Sequence, residues 1–223
     1  MKTIPDKATV KKAFHKYILK NDHPCIMAQT LFKMENPTLH IYTGLGSRAA
    51  AAALLEGLTA FVDEYDVTSN EFASFLAVFP DRTFMTEKEF ETRLWQQLQY
   101  LHELDTAAWD TSVSADPASP CFSFSIAGTA FYVVGLHPNS SRLSRQSPYS
   151  ALVFNMHRQF EKLREMGVYH SVRDRIRERD NALQGAINPM LSDFGVKSEA
   201  RQYSGRQVSH SWKCPFIPSP DKK

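Results

Sequence analysis

One segment constrains this chain more than any other: Phe122–Arg145, FSFSIAGTAFYVVGLHPNSSRLSR. It reads as two β-runs around a Gly-Thr turn, a hairpin about which the remaining elements must be arranged. The second run ends in Gly135-Leu136-His137-Pro138, followed by Asn139-Ser140-Ser141-Arg142 and Arg145. A histidine, short polar side chains and two arginines therefore emerge together where an apolar strand stops. That arrangement suits an anionic ligand or a metal. The plain alternative is a histidine that caps a strand, with two surface arginines beside it.

The helical segments follow from periodicity. Residues 6–20 place Val10, Phe14, Tyr17 and Ile18 on one face, and Asn21-Asp22-His23-Pro24 ends that helix, because the residue before proline avoids the α region. Cys25–Phe32 and Leu39–Thr43 read as short strands joined by a Glu-Asn-Pro turn. Gly46-Ser47 opens a helix over Arg48–Tyr65 with Ser47 as N-cap. TGLGSRAA precedes that helix, but it is neither a dinucleotide fingerprint nor a Walker motif, and it reads as an ordinary strand-to-helix turn. Phe72–Pro80 alternates as a strand with Phe75, Ala77 and Phe79 on one face. Glu87–Asp105 is a helix with a capping box at Thr86 and Glu89, and its His102 reads as a core histidine. Trp109–Pro120, rich in Asp, Ser and Pro, is a loop within one domain.

Beyond the hairpin, Ala151–Asn155 reads as a strand, with helices over His157–Met166 and Tyr169–Gln184. The charges of the last helix are expected to pair at i,i+4 on a solvated face. The tail from Gly195 carries little periodicity, and residues from Phe216 onward are expected to fray. Helices alternating with pairs of short strands predict an α+β fold, with a mainly antiparallel sheet in a single domain spanning 1–223.

Composition narrows the function classes. A net charge of +2 over 223 residues is too weak for general nucleic-acid binding. No apolar run of membrane-spanning length occurs and the start of the chain lacks a signal-peptide pattern, so a soluble cytoplasmic protein is expected. Cys25, Cys121 and Cys214 are widely spaced and never form Cys-x-x-Cys, which disfavours a zinc site or a disulfide framework; each reads as a small, partly buried apolar residue. No second histidine or carboxylate stands at metal-ligand spacing from His137. A single histidine can still bind iron when a porphyrin supplies the equatorial ligands, and Arg142 and Arg145 would then suit its two propionates. A serine hydrolase is disfavoured, since no Gly-x-Ser-x-Gly elbow is present.

The segments PCIMA, LHELD with Trp109-Asp110, DPASPCFSFSIAGTAFYVVGLHPNSSR, ALVFNMHRQFEKLR, IRERDNALQGAINPML and SEARQYSGR with WKCPF resemble the YqcI/YcgG family, in order from Pro24 to Phe216. That family includes the GntA-type haem-dependent N-hydroxylases, which oxidise a guanidine nitrogen of arginine-like amino acids using dioxygen and reducing equivalents. The resemblance implies haem b as cofactor, an amino-acid-like substrate, dioxygen and an electron donor as partners, and no nucleic acid or membrane; a homodimer stays open. Within the His-Pro-x-x-Ser-Arg motif it implies His137 as axial haem ligand, with Ser141, Arg142 and Arg145 at the cofactor. Gln146 stands where the family often continues with arginine. The Pro-Cys motif puts Cys25 forward as a rival thiolate ligand. Asn155 and His157 are candidates for the distal side. Asp193, Glu199, Arg201 and Tyr203 are candidates for substrate contacts, Glu199 also for catalysis. Two other readings stand beside this one: a haem protein that carries or senses a diatomic gas, and a haem-free domain whose basic cleft binds a phosphate-bearing metabolite.

Overall fold

Five strands form one mixed sheet in the spatial order β1-β2-β5-β4-β3. They are β1 (Thr38–Ile41), β2 (Ser74–Phe79), β3 (Phe124–Ile126), β4 (Thr129–Leu136) and β5 (Ser150–Met156). β1 and β2 run parallel and every other neighbouring pair is antiparallel, so the α+β expectation holds. The computed structural model describes residues 4–34, 37–66, 72–81 and 86–219. The expected Glu-Asn-Pro turn falls largely outside them. Among the described residues no helix is long and apolar enough to cross a membrane.

The hairpin turns at Ala127 and Gly128, with φ of 51° and 68°. Positive φ at both central residues matches the right-handed twist of the flanking strands. The strand pattern then has to satisfy two apolar faces at once. Phe75, Ala77 and Phe79 of β2, Val133 of β4 and Phe154 of β5 join one cluster with α3 (Arg48–Glu64) and α4 (Glu87–Leu104). Leu76 and Val78 of β2, Leu136 of β4 and Ala151 of β5 join a second cluster on the other face, with α1 (Lys7–His15), the π-helical turn Lys16–Lys20 and α2 (Ile26–Lys33). β2 is buried at all six residues, as a strand covered on both faces must be. Three helices follow the sheet: α5 (His157–Glu165), α6 (Tyr169–Gln184) and the short α7 (Ala200–Tyr203).

The expected caps are present. Ser47 Oγ accepts from Ala50 N at 3.1 Å, and Thr86 and Glu89 form a reciprocal capping box. Gly44 N and Gly46 N are already spent on Asp81 Oδ2 and Gln97 Oε1, so this loop is a strand-to-helix turn rather than a phosphate cradle. His102 is buried, accepts from Ser219 N at 2.8 Å and packs edge-on against Trp109 and Phe216.

Four expectations are corrected. The segment expected as strand Cys25–Phe32 is instead α2; its cavity-facing residues Met27, Ala28 and Leu31 recur at helical spacing, which a short, evenly apolar run conceals. Phe216 does not fray: it is 3% exposed and packs against Phe122 and Phe124. Cys121 is exposed rather than partly buried. The charges of α6 do not chiefly pair along the helix. Arg173 and Arg177 reach Asp193, Arg179 reaches Asp22, and Asp180 receives Arg142. Tertiary partners outcompete i,i+4 pairs, which are worth only a few tenths of a kcal/mol.

β4 meets α4 and α7 closely at Gly135. A Cβ there would lie 2.7 Å from Phe90 Cε1, 2.8 Å from Leu94 Cδ1 and 2.8 Å from the Tyr203 carbonyl oxygen. Gly135→Ala is expected to destabilise the fold by about 1–3 kcal/mol, the cost of overpacking a core whose backbone cannot retreat. A urea melt showing an unchanged midpoint would contradict this packing.

Candidate functional site

The second face of the sheet is not closed by its helices. Between Leu76, Val134, Leu136 and Val153 on the sheet and Phe14, Phe32, Phe160 and Ile176 on the helices lies a cavity of about 330 Å³. Its size and apolar lining are those of a small-molecule or cofactor site. Polar groups enter it at two ends.

At one end stands Cys25. It is the N-cap of α2 in extended conformation without a side-chain cap hydrogen bond, and the backbone groups of Met27 and Ala28 lie near its sulfur. Burial pushes the thiol pKa up and those backbone groups oppose the rise. His23 lies beside it, but its ring is committed: Nδ1 accepts from Cys25 N at 3.1 Å, and Nε2 meets the Ser144 carbonyl at 2.9 Å. Tyr17 OH donates to the same carbonyl at 2.7 Å, so the 3₁₀ turn Leu143–Arg145 anchors the segment that carries Cys25. Burial lowers the His23 pKa to about 4, which keeps the ring neutral.

At the other end are Asn155, His157 and Glu199. Register places Asn155 opposite Tyr132, whereas the Cys25 end lies by Leu136. Four residues of strand separate the two ends, about 13 Å. Asn155 Oδ1 accepts from Ser74 Oγ at 2.6 Å. His157 packs at a tilt against Phe194, with its Nε2 3.7 Å from Glu161, and also borders a polar groove containing Asp110 and Glu161. Burial lowers its pKa. Glu199 is 4% exposed, and its Oε1 accepts from Tyr203 OH at 2.6 Å and Ser123 Oγ at 2.7 Å. Desolvation raises its pKa to about 8 despite those two bonds. It is a neutral carboxylic acid at pH 7, able to donate as well as accept.

The structure thus gathers Cys25, Arg145, Asn155, His157, Asp193 and Glu199 around one chamber. It does not bring the other candidates there. His137 follows the parity of Val133 and Gly135, which face α4, and its ring stacks on Phe90 at 4.5 Å. Both its ring nitrogens are buried without a partner among the described residues, and burial lowers its pKa. Arg142 is paired with Asp180 and donates to the Ala186 carbonyl. Arg145 lines the chamber, but its guanidinium donates to the carbonyls of Gly135 and Gln202. Ser141 binds Glu87 Oε1 at 2.8 Å. Arg201 donates to the carbonyls of Ser209 and Trp212, and Tyr203 supports Glu199 from behind.

The profile of the YqcI/YcgG family matches residues 14–217. The chain belongs to the YqcI/YcgG family. It is also 28% identical over 214 residues to "Uncharacterized protein YqcI" of Bacillus subtilis (strain 168), a match covering 89% of this chain and 82% of that protein. No solved structure matches the chain.

Among the chamber residues that escaped the reading of the sequence are His23, Arg173 and Arg177. A signal for the arginines was present, since Val172, Arg173, Ile176, Arg177 and Asp180 fall on one helical face with apolar and charged members mixed.

Glu199 makes stability depend on pH. Unfolded, the group ionises near 4.5; folded, it keeps its proton to about 8, so the native state is progressively penalised as pH rises between those values. The expected slope is on the order of 1 kcal/mol per pH unit. Glu199→Gln is expected to flatten that part of the stability–pH curve and to exceed the parent in stability at pH 8, read by denaturant melts across the range. Parallel curves for the two proteins would show that Glu199 is ionised in the fold.

Proposed function

We propose that this protein is a haem-dependent monooxygenase that hydroxylates a guanidine or amine nitrogen of an arginine-like amino acid, drawing on dioxygen and an external electron donor. The observation that carries the reading is the chamber itself: apolar walls, a thiol at the start of α2 at one end, and hydrogen-bonding groups with a neutral acid at the other. Family membership makes the GntA-type activity the natural comparison.

In this reading the ligand to iron is Cys25 and not His137, because only the former opens on the chamber. A bound metal deprotonates a coordinating thiol outright, so the raised pKa of the free thiol is no obstacle. Held there, a haem b would supply dioxygen activation, which a thiolate ligand favours by pushing electron density toward O–O cleavage. The chain's own residues do the rest. The Met27 and Ala28 N–H groups at the start of α2 favour a charged sulfur, and the apolar sheet face excludes water from the chamber. Glu199, kept protonated by burial, supplies a proton inside the chamber and offers its carbonyl to a substrate N–H. Asn155 adds a second amide-type contact, and His157 joins the chamber to the polar groove. Positioning the nitrogen is the protein's main contribution to rate.

Protein produced with an adequate haem supply is expected to show a Soret band and a ferrous–carbonyl spectrum of thiolate type. Cys25→Ala should remove or shift that band, while His137→Phe should leave it in place. Turnover of arginine-like amines with a reductant and dioxygen, followed by mass spectrometry for a gain of one oxygen, separates an oxygenase from a gas carrier. No Soret band after haem supplementation would falsify the proposal.

A further inference from the structure

Two guanidinium groups on the chamber wall converge on one carboxylate. Arg173 Nη1 lies 2.6 Å from Asp193 Oδ2, and Arg177 Nη2 lies 2.9 Å from Asp193 Oδ1. Both arginines stand one turn apart on the face of α6 that carries Val172 and Ile176 to the chamber. Each guanidinium has five N–H donors in a planar fork that matches carboxylates two bonds at a time. Asp193 takes one bond from each. Arg173 also holds Asp174 Oδ1, and that side chain is half-exposed, so solvent screens the pair. Nε and Nη1 of Arg177 make no hydrogen bond among the described residues.

The charges around the wall run the same way. Arg145, Arg164, Arg173 and Arg177 line it, against Asp180, Asp193 and the neutral Glu199. Asp180 is claimed by Arg142 from outside the wall, and Arg164 shares the half-exposed Glu161. Lining cations thus outnumber lining anions by two, and the carboxylates that hold Arg173 and Arg177, Asp193 and Asp174, are themselves 32% and 54% exposed. Such a wall fits a ligand with a large apolar body and two carboxylates, the charge pattern of a porphyrin with its propionates.

We propose that Arg173 and Arg177 are the anion anchor of the chamber, gripping the two carboxylates of its apolar ligand in place of Asp193. The proposal rests on the haem reading above. It assigns to α6 the role that the sequence expectation gave to Arg142 and Arg145, whose guanidinium groups are held by Asp180 and by the carbonyls of Ala186, Gly135 and Gln202.

The test is an absorbance titration of the apo-protein with haemin and with haemin dimethyl ester, which keeps the iron and macrocycle but removes both carboxylates. The parent protein should bind haemin at least about tenfold more tightly than the ester, the size expected for one charge-assisted bond. The Arg173→Gln/Arg177→Gln double variant should lose that preference by weakening for haemin alone, and its unchanged ester binding would show an intact chamber. Should the double variant not fold, Arg177→Gln by itself is expected to show the same change in part. Asp193→Asn, which removes the carboxylate charge that both arginines share, should keep or strengthen the preference. Equal binding of the two ligands by the parent, or a preference that survives the double substitution, overturns the anchor and leaves the haem reading standing. Failure of the protein to shift or sharpen the Soret band of either ligand overturns the two together.

Discussion

A sheet whose central strands are apolar on both sides has to be covered on both sides, and most of this structure follows from that requirement. β2, β4 and β5 each alternate large side chains between two faces, and burying one such side chain is worth about 1.5–3 kcal/mol. On one face α3 and α4 close completely, to the point that Gly135 leaves no room for a methyl group. On the other face the N-terminal helices and α6 span the sheet without filling the space beneath them. The chamber is the unfinished half of the core. It is lined by the same aliphatic and aromatic residues that would otherwise have packed together.

What holds that half open is a set of polar ties at its rim. The Ser144 carbonyl receives both Tyr17 and His23, which fixes the N-terminal segment to the turn after β4. Arg142 and Asp180 tie the same turn to α6, and Arg179 ties α6 back to Asp22. A buried ion pair of this kind contributes little net stability, but losing one partner leaves an uncompensated charge, so it fixes geometry. These ties set Cys25 at one end of the chamber and α6 along its side. The arginines first noticed at the end of the hairpin thus serve the site by building its frame. The polar groups that line the chamber come from the start of α2, from α6, from the end of β5 and from Glu199 ahead of α7.

Much of the fold was legible in the chain because its cues are local. The capping box at Thr86, the Ser47 cap and the alternation of β2 each act within a few residues, and each appears as expected. α2 was misread because eight mostly apolar residues carry no distinguishing period until a cavity selects one side of them. The site was legible only in part. Glu199, His157 and Asn155 were singled out and do meet, yet the raised pKa of Glu199 comes from burial beneath α7 and β3, to which local sequence gives no clue. Phe216 looked like the start of a loose tail, and is held by aromatic rings from the distant hairpin.

His137 and Cys25 mark the boundary between the two kinds of information. Sequence alone determined that His137 shares the parity of Val133 and Gly135, because side chains alternate along a strand by covalent geometry. It also determined that Cys25 follows a proline at a chain reversal. Which strand face would be sealed by α3 and α4, and which would be left hollow, was decided only when those helices docked, through side-chain volumes summed over residues far apart in the chain. That choice buries His137 against Phe90 and opens Cys25 onto the chamber. The chemistry of the two residues was written in the sequence; their access to a ligand was settled by packing.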